Sequence, residues 1–268
     1  MLKQRIITAL ILLPIALCGF FLLDGSGFAL FIGLVVTLGA WEWARLAGFS
    51  AQLPRVVYAV IVALLLFLMY ILPDLAPWVL GAAVLWWALA TFLVLTYPRT
   101  SSQWSSVACK LVIGLLILLP AWQGLVEIKR FPIGNELILA VMVLVWGADI
   151  GAYFSGRAFG KRKLAPAVSP GKSWEGVYGG LALTLVITLV VGVVRGWSVK
   201  ELCLALLGAA IVVLISVVGD LTESMFKRQA GIKDSSNLLP GHGGVLDRID
   251  SLTAAIPIFA VLLWMAAS

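Results

Sequence analysis

SMFKRQAGIKDSSNLLPGHGGVLDRID, residues 224–250, is the one long polar stretch near the C-terminal end of a greasy chain, and its setting decides the fold. It sets Lys227, Arg228, Lys233 and Arg248 against Asp234, Asp247 and Asp250. It also holds His242, the only histidine, among Gly241, Gly243 and Gly244. A charged residue at the centre of a bilayer costs about 2.5–3.5 kcal/mol even on gentle scales, so a segment this charged belongs at a membrane surface. The apolar runs on either side, Glu201–Thr222 and Asp250–Ala266, are long enough to cross the hydrocarbon.

The same pattern repeats towards the N-terminus. Apolar runs lie near Ile6–Leu23, Gly27–Ala44, Arg55–Leu72, Trp78–Tyr97, Lys110–Glu127, Glu136–Ser155 and Gly176–Arg195. Turn signals such as Asp24-Gly25, Pro54, Pro73, Pro98 and Gly134 separate them. The basic start MLKQR before the first run imitates a signal peptide, but no A-x-A site closes that run, so it reads as a span that stays. The expected fold is all-α: a polytopic transmembrane helical bundle of about nine spans. It divides into N-terminal helices over 1–130 and a C-terminal region over 131–268 that carries two polar loops, 156–175 and 223–249. Hydrophobic residues make up 62% of the chain and charged residues 12%. Soluble proteins carry about 25% charged residues, so a soluble domain is excluded.

The net charge of +6 suits positive cytoplasmic loops better than nucleic acid. With the N-terminus inside and nine alternating spans, only Lys129, Arg130, Arg195 and Lys200 of the 19 Lys and Arg residues fall outside. Both polar loops then share the cytoplasmic side and can build one site. The eleven Trp, many near run ends, suit an interfacial belt. Cys18, Cys109 and Cys203 form no CxxC pair and read as buried small hydrophobes.

Four constellations carry chemistry. On one helix, Ser216, Asp220, Glu223, Ser224 and Lys227 share a face by i, i+3 and i+4 spacing, and Asp247 and Asp250 repeat the i, i+3 step on another. Carboxylates of two helices at one surface suit a hard cation shared with phosphates, with Asp220 and Asp247 as ligands and Glu223 and Asp250 as alternates. A solvated helix end is the plainer reading of the same acids. Lys227, Arg228 and Lys233 suit a polyphosphate, and Gly243 and Gly244 beside His242 let main-chain N–H groups approach one. Asp149 lies inside a span with Tyr153 one turn on and Arg157 and Lys161 following; an interhelical hydrogen bond explains Asp149 as well as a site role does. Gly147, Gly151, Ser155 and Gly156 in that span, and Gly176 and Gly180 in the next, suit close helix contact. Lys172 and Ser173 in SPGKSWEG, residues 169–176, suit phosphate at a helix start. They form no Walker A loop, since Pro166 stands where a glycine is needed and no preceding strand is expected.

At these residues the chain closely resembles the phosphatidate cytidylyltransferase family. The family signature S-x-x-K-R-x4-K-D, followed by H-G-G-x-x-D-R-x-D, is matched without departure. The matching residues are Ser224, Lys227, Arg228, Lys233, Asp234, His242, Gly243, Gly244, Asp247, Arg248 and Asp250. The segments 149–161 and 169–176 look like the family's upstream polar motifs; the N-terminal spans match only in hydropathy. The resemblance implies an integral membrane enzyme that joins CTP and phosphatidate into CDP-diacylglycerol and pyrophosphate with Mg2+, and leaves room for a second cation and for a homodimer. Carried onto this chain, it implies catalytic work for Lys227, Arg228, Lys233, Asp234, His242, Arg248 and Asp250. Substrate binding falls to Ser224, Gly243, Gly244, Asp149, Tyr153, Arg157, Lys161, Lys172 and Ser173, and metal binding to Asp220, Asp247 and Glu223. The expected location is the bacterial inner membrane, with the site facing the cytoplasm. A cation-coupled secondary transporter is the alternative, on the strength of Asp149 and the glycine-broken spans.

Overall fold

The computed structural model describes residues 2–267, and the side chains of Leu2, Lys3 and Arg5 lie outside the described part. Nine α-helices make up nearly all of it. They are α1 (Leu2–Leu17), α2 (Gly25–Ala47), α3 (Gln52–Ile71), α4 (Ala76–Thr96), α5 (Val107–Lys129), α6 (Gly134–Phe159), α7 (Trp174–Val194), α8 (Val199–Gln229) and α9 (Leu246–Ala267). In lipid a helix satisfies every backbone group internally, which is why long apolar runs take this form. α2 to α9 are each long and apolar enough to cross a membrane; the run Ile6–Leu22, which ends in a π-helical turn at Cys18–Leu22, is shorter. Polar residues cap where the apolar runs stop. Ser106 accepts from Cys109 N, Ser173 from Gly176 N, and Ser198 forms a capping box with Glu201.

The helices alternate in direction, and hydrogen bonds identify which ends lie together. At one end, Thr8 Oγ1 donates to Pro240 O, Arg45 to Ser235 O, Gln229 to Ser101 O and Arg228 to Val168 O. At the other end, Lys129 pairs with Asp24 at 3.2 Å and Arg195 with Glu136 at 2.6 Å. Both polar loops therefore sit at one end. α5 runs through the middle, with Gly124 against Pro257 of α9 and Gly114 against Trp43 of α2. Leu53, Leu64, Leu85 and Val194 face outward, as lipid-facing residues do.

Three expectations are corrected. A short antiparallel hairpin, β1 (Lys163–Ala165) and β2 (Ser169–Ser173), joins α6 to α7, so a strand does precede the GKS tripeptide. Its residues include Pro170 and Gly171, which read as a turn in sequence. The tryptophans serve a belt only in part: Trp78, Trp146, Trp174 and Trp197 are exposed, but Trp43, Trp87 and Trp122 are fully buried. Two of these find main-chain partners, Trp43 donating to Lys110 O and Trp122 to Ala29 O, which is what lets a polar indole lie in a core. The cysteines are free, but Cys18 and Cys203 are exposed on the apolar surface.

Candidate active site at the polar end of the bundle

α8 and α9 form the floor. A methyl group on Gly219 would come within 2.7 Å of Asp250 O and 2.9 Å of Ala254 Cβ, so the two helices touch backbone to side chain at this level. That contact brings Asp220 and Glu223 of α8 beside Asp247 and Asp250 of α9. Lys227 bridges them: its Nζ lies 3.0 Å from Glu223 Oε1 and 2.8 Å from Asp247 Oδ1. All three side chains are nearly buried. The other oxygen of Asp247 accepts from Ser235 N, Ser235 Oγ and Gly244 N at 2.9, 2.9 and 2.7 Å. Asp247 thus ties the loop 230–245 down onto the helix ends. Above this floor opens a cavity of about 260 Å³, lined by Ser224, Lys227, Arg228, Lys233, Asp234, Asp247, Arg248 and Asp250. Every one of these residues comes from the polar stretch 224–250.

The glycine turn is shaped by contact. Leu239 N donates to Gly243 O, and His242 N to Leu239 O. Gly243 takes φ +83°, and a methyl there would meet Asp247 Oδ2 at 2.7 Å. A methyl on Gly244 would come within 2.0 Å of Ser235 Oγ and 2.4 Å of Glu42 Oε1. His242 lies outside the cavity wall; its carbonyl accepts from Arg248 Nε at 3.0 Å, which steers that guanidinium.

Sequence reasoning missed Glu42. This residue of α2 is fully buried. Its carboxylate accepts from Ser236 Oγ and Val245 N on one oxygen, and from Ser235 Oγ and Leu246 N on the other. Its only sequence signal is an acid near the end of an otherwise apolar span, and Arg45 one turn later makes it look like half of a surface pair. Trp43, its neighbour, packs on Phe226 with ring centroids 4.9 Å apart, and Phe226 packs on Trp104 at 4.8 Å.

The hairpin covers the site from the other side. Lys172 Nζ lies 2.6 Å from Asp220 Oδ2, both side chains about a quarter exposed. Asp149 of α6 and Asp250 are each within electrostatic reach of Asp220 and of Lys172. Ser224 Oγ donates to Asp220 Oδ1 at 3.2 Å. The hairpin is held by Glu175, whose carboxylate accepts from the main-chain N–H groups of Lys161 and Arg162. Ser173 serves α7 as its N-cap. Tyr153 and Arg157 pair with each other on the exposed side of α6, and with Lys161 they do not line the cavity. Gly151, Gly179 and Gly180 let α6 and α7 touch: a methyl on Gly151 would lie 2.6 Å from Gly179 O, and one on Gly180 2.7 Å from Ala148 O.

The donors fit a hard divalent cation on their chemistry. Five carboxylates (Asp149, Asp220, Glu223, Asp247 and Asp250) lie on the floor near Lys172 and Lys227, so oxygen is the ligand offered there. Among the described residues, no three ligating side chains are gathered around one point; Lys172 and Lys227 lie among the acids instead. Asp247 is engaged on both oxygens by protein donors. Asp220 has one partner on each oxygen, Ser224 and Lys172, and Asp250 accepts only from Ser251 N among the hydrogen bonds seen.

Comparison with known proteins identifies the family. The model of the Cytidylyltransferase family matches residues 3–266. A phosphatidate cytidylyltransferase of Pseudomonas aeruginosa is 73% identical over 266 residues, covering 99% of this chain and 98% of the relative. One from Haemophilus influenzae is 43% identical over 281 residues, covering 97% and 98%. One from Brucella suis is 48% identical over 128 residues, covering 46% of this chain and 45% of the relative.

Proposed function

Because the chain belongs to the cytidylyltransferase family, we propose that it transfers CMP from CTP to phosphatidate, giving CDP-diacylglycerol and pyrophosphate. It is an integral membrane enzyme of phospholipid synthesis. The observation that carries the reading is the cavity at one end of the apolar bundle, whose wall holds Lys227, Arg228, Lys233 and Arg248 beside three aspartates. A phosphate oxygen of phosphatidate forms a bond to the α-phosphorus of CTP, the bond from that phosphorus to the bridging oxygen breaks, and pyrophosphate leaves with the electron pair. Both reactants are anions, so the barrier is mainly repulsion. Arg228 and Arg248 offer forked donors, and Lys227 and Lys233 point charges, to the triphosphate. Among the described residues no Ser or Cys is hydrogen-bonded to a histidine, so a covalent intermediate finds no nucleophile here.

Mg2+ would be held by Asp220 and Asp250, while Asp247 and Glu223 position Lys227. A cation held there would supply positive charge to offset the charge that develops on the phosphates. On this reading the site faces the cytoplasm from the inner membrane, where CTP is supplied and the lipid's acyl chains stay among the spans; the excess of Lys and Arg in the segments at that end supports it. The transporter reading finds no support, because the relatives are named as cytidylyltransferases and the cluster of acids and bases lies at one end of the bundle and not at mid-depth.

The test is to incubate purified protein with CTP, phosphatidate and Mg2+ and weigh the lipid product. CDP-diacylglycerol with an equivalent of pyrophosphate is expected. Chelation should abolish the reaction and added Mg2+ restore it. A phosphorylated lipid without pyrophosphate would instead mark a kinase.

A further inference from the structure

We infer that Glu42 is a positioning residue for this site, although it lies in the N-terminal helices and lines no part of the cavity. Glu42 is fully buried. A buried carboxylate persists only where donors compensate it, and Glu42 has four: two serine hydroxyls of the 230–245 loop and the main-chain N–H groups of Val245 and Leu246. Those two N–H groups belong to the start of α9, where a helix has orphan donors and its dipole favours an anion. One side chain of α2 therefore fixes both the loop and the end of the helix that presents Asp247 and Asp250. Ser235 is shared: its hydroxyl lies 3.2 Å from Glu42 Oε2 and 2.9 Å from Asp247 Oδ2. Asp247 in turn holds Lys227. The chain Glu42–Ser235–Asp247–Lys227 runs from the scaffold to the cavity wall through four polar side chains. Arg45, one turn further along α2, adds a donor to Ser235 O at 3.1 Å.

The inference rests on the proposed reaction for its kinetic arm alone. Glu42→Gln keeps the shape and turns one acceptor oxygen into a donor facing donors. The expected result is a fall of at least tenfold in kcat/KM for CTP, carried mainly by KM, with KM for phosphatidate changed less than twofold. In hydrogen exchange, the amides of 235–247 should exchange at least tenfold faster, while those of 199–215 keep their rate. Glu127→Gln is the control: this buried acid, bonded to Gln123 and Arg130 at the opposite end, should leave both readouts unchanged. Ser236→Ala removes one donor and should lower kcat/KM for CTP about threefold; it decides the question if Glu42→Gln does not fold. Wild-type kinetics and exchange in these variants would overturn the assignment. So would uniform loosening of the whole molecule, or an equal loss in Glu127→Gln. If the wild-type protein makes no CDP-diacylglycerol, the proposed reaction falls, and the exchange pattern still decides Glu42.

Discussion

The two polar loops at the active end are built in opposite ways. The loop 230–245 is fastened from beneath by two carboxylates, Glu42 and Asp247, and Gly244 fits there because no side-chain atom would. The hairpin of 160–173 lies over the site and is anchored at its turn by the buried Val168, whose carbonyl accepts from Arg228, with Glu175 at its root and Lys172 on Asp220, while Pro170 and Gly171 between these anchors are exposed. Gly171 has nothing within 4 Å of where a side chain would begin. One loop is a fixed wall and the other an open cover. A phosphate site needs both, since the wall sets where charge is stabilised and the cover must admit the nucleotide.

Substitutions can break or sharpen that contrast. The largest effect is expected at the wall. Lys227→Met leaves Glu223 and Asp247 buried without their cation, and losing one partner of a buried pair costs about 3–5 kcal/mol. Thermal unfolding should show the loss, and CDP-diacylglycerol formation should drop by a factor of about 100 or more. Gly244→Ala comes next. Its methyl group has no room, and overpacking costs about 1–3 kcal/mol; a drop in melting temperature with weaker CTP use would show it. Gly171→Ala, the matching change in the cover, should stay within about 0.5 kcal/mol of wild type, as surface changes do. If the two glycine variants behaved alike, the contrast would be lost. Smallest of all is Arg162→Ala. Its pair with Glu175 spans 3.4 Å with the arginine side chain 68% exposed, and such pairs contribute about 0–1 kcal/mol, so stability and turnover should barely move.

The same contrast explains what could be read from sequence. The wall's floor was legible because helix periodicity places Asp220, Glu223, Ser224 and Lys227 on one face and Asp247 and Asp250 on another. These are local relations, set by 3.6 residues per turn. The shared end of the two loops followed from the count of positive charges. Glu42 was not legible, since its partners lie about two hundred positions away and no local pattern encodes them. The pairing of Lys172 with Asp220 was hidden for the same reason. The hairpin was missed because its second strand carries Pro170 and Gly171, which local preference assigns to a turn and cross-strand pairing overrides. Ser173 is a local case: its hydroxyl caps the helix that follows it, a relation of three residues.

The contact of α6 with α7 has a consequence at a distance. Where the backbone of one meets the other at Gly151 and Gly180, there is no clearance for a single carbon. The pair is therefore one plank, and the hairpin that joins its two halves carries Lys172 on β2, two residues before α7 begins. An alanine at 151 would be a wedge driven in near the fulcrum: a displacement of tenths of an ångström there is magnified along the plank, and the ammonium group would miss its carboxylate without any change to the residues that hold either one.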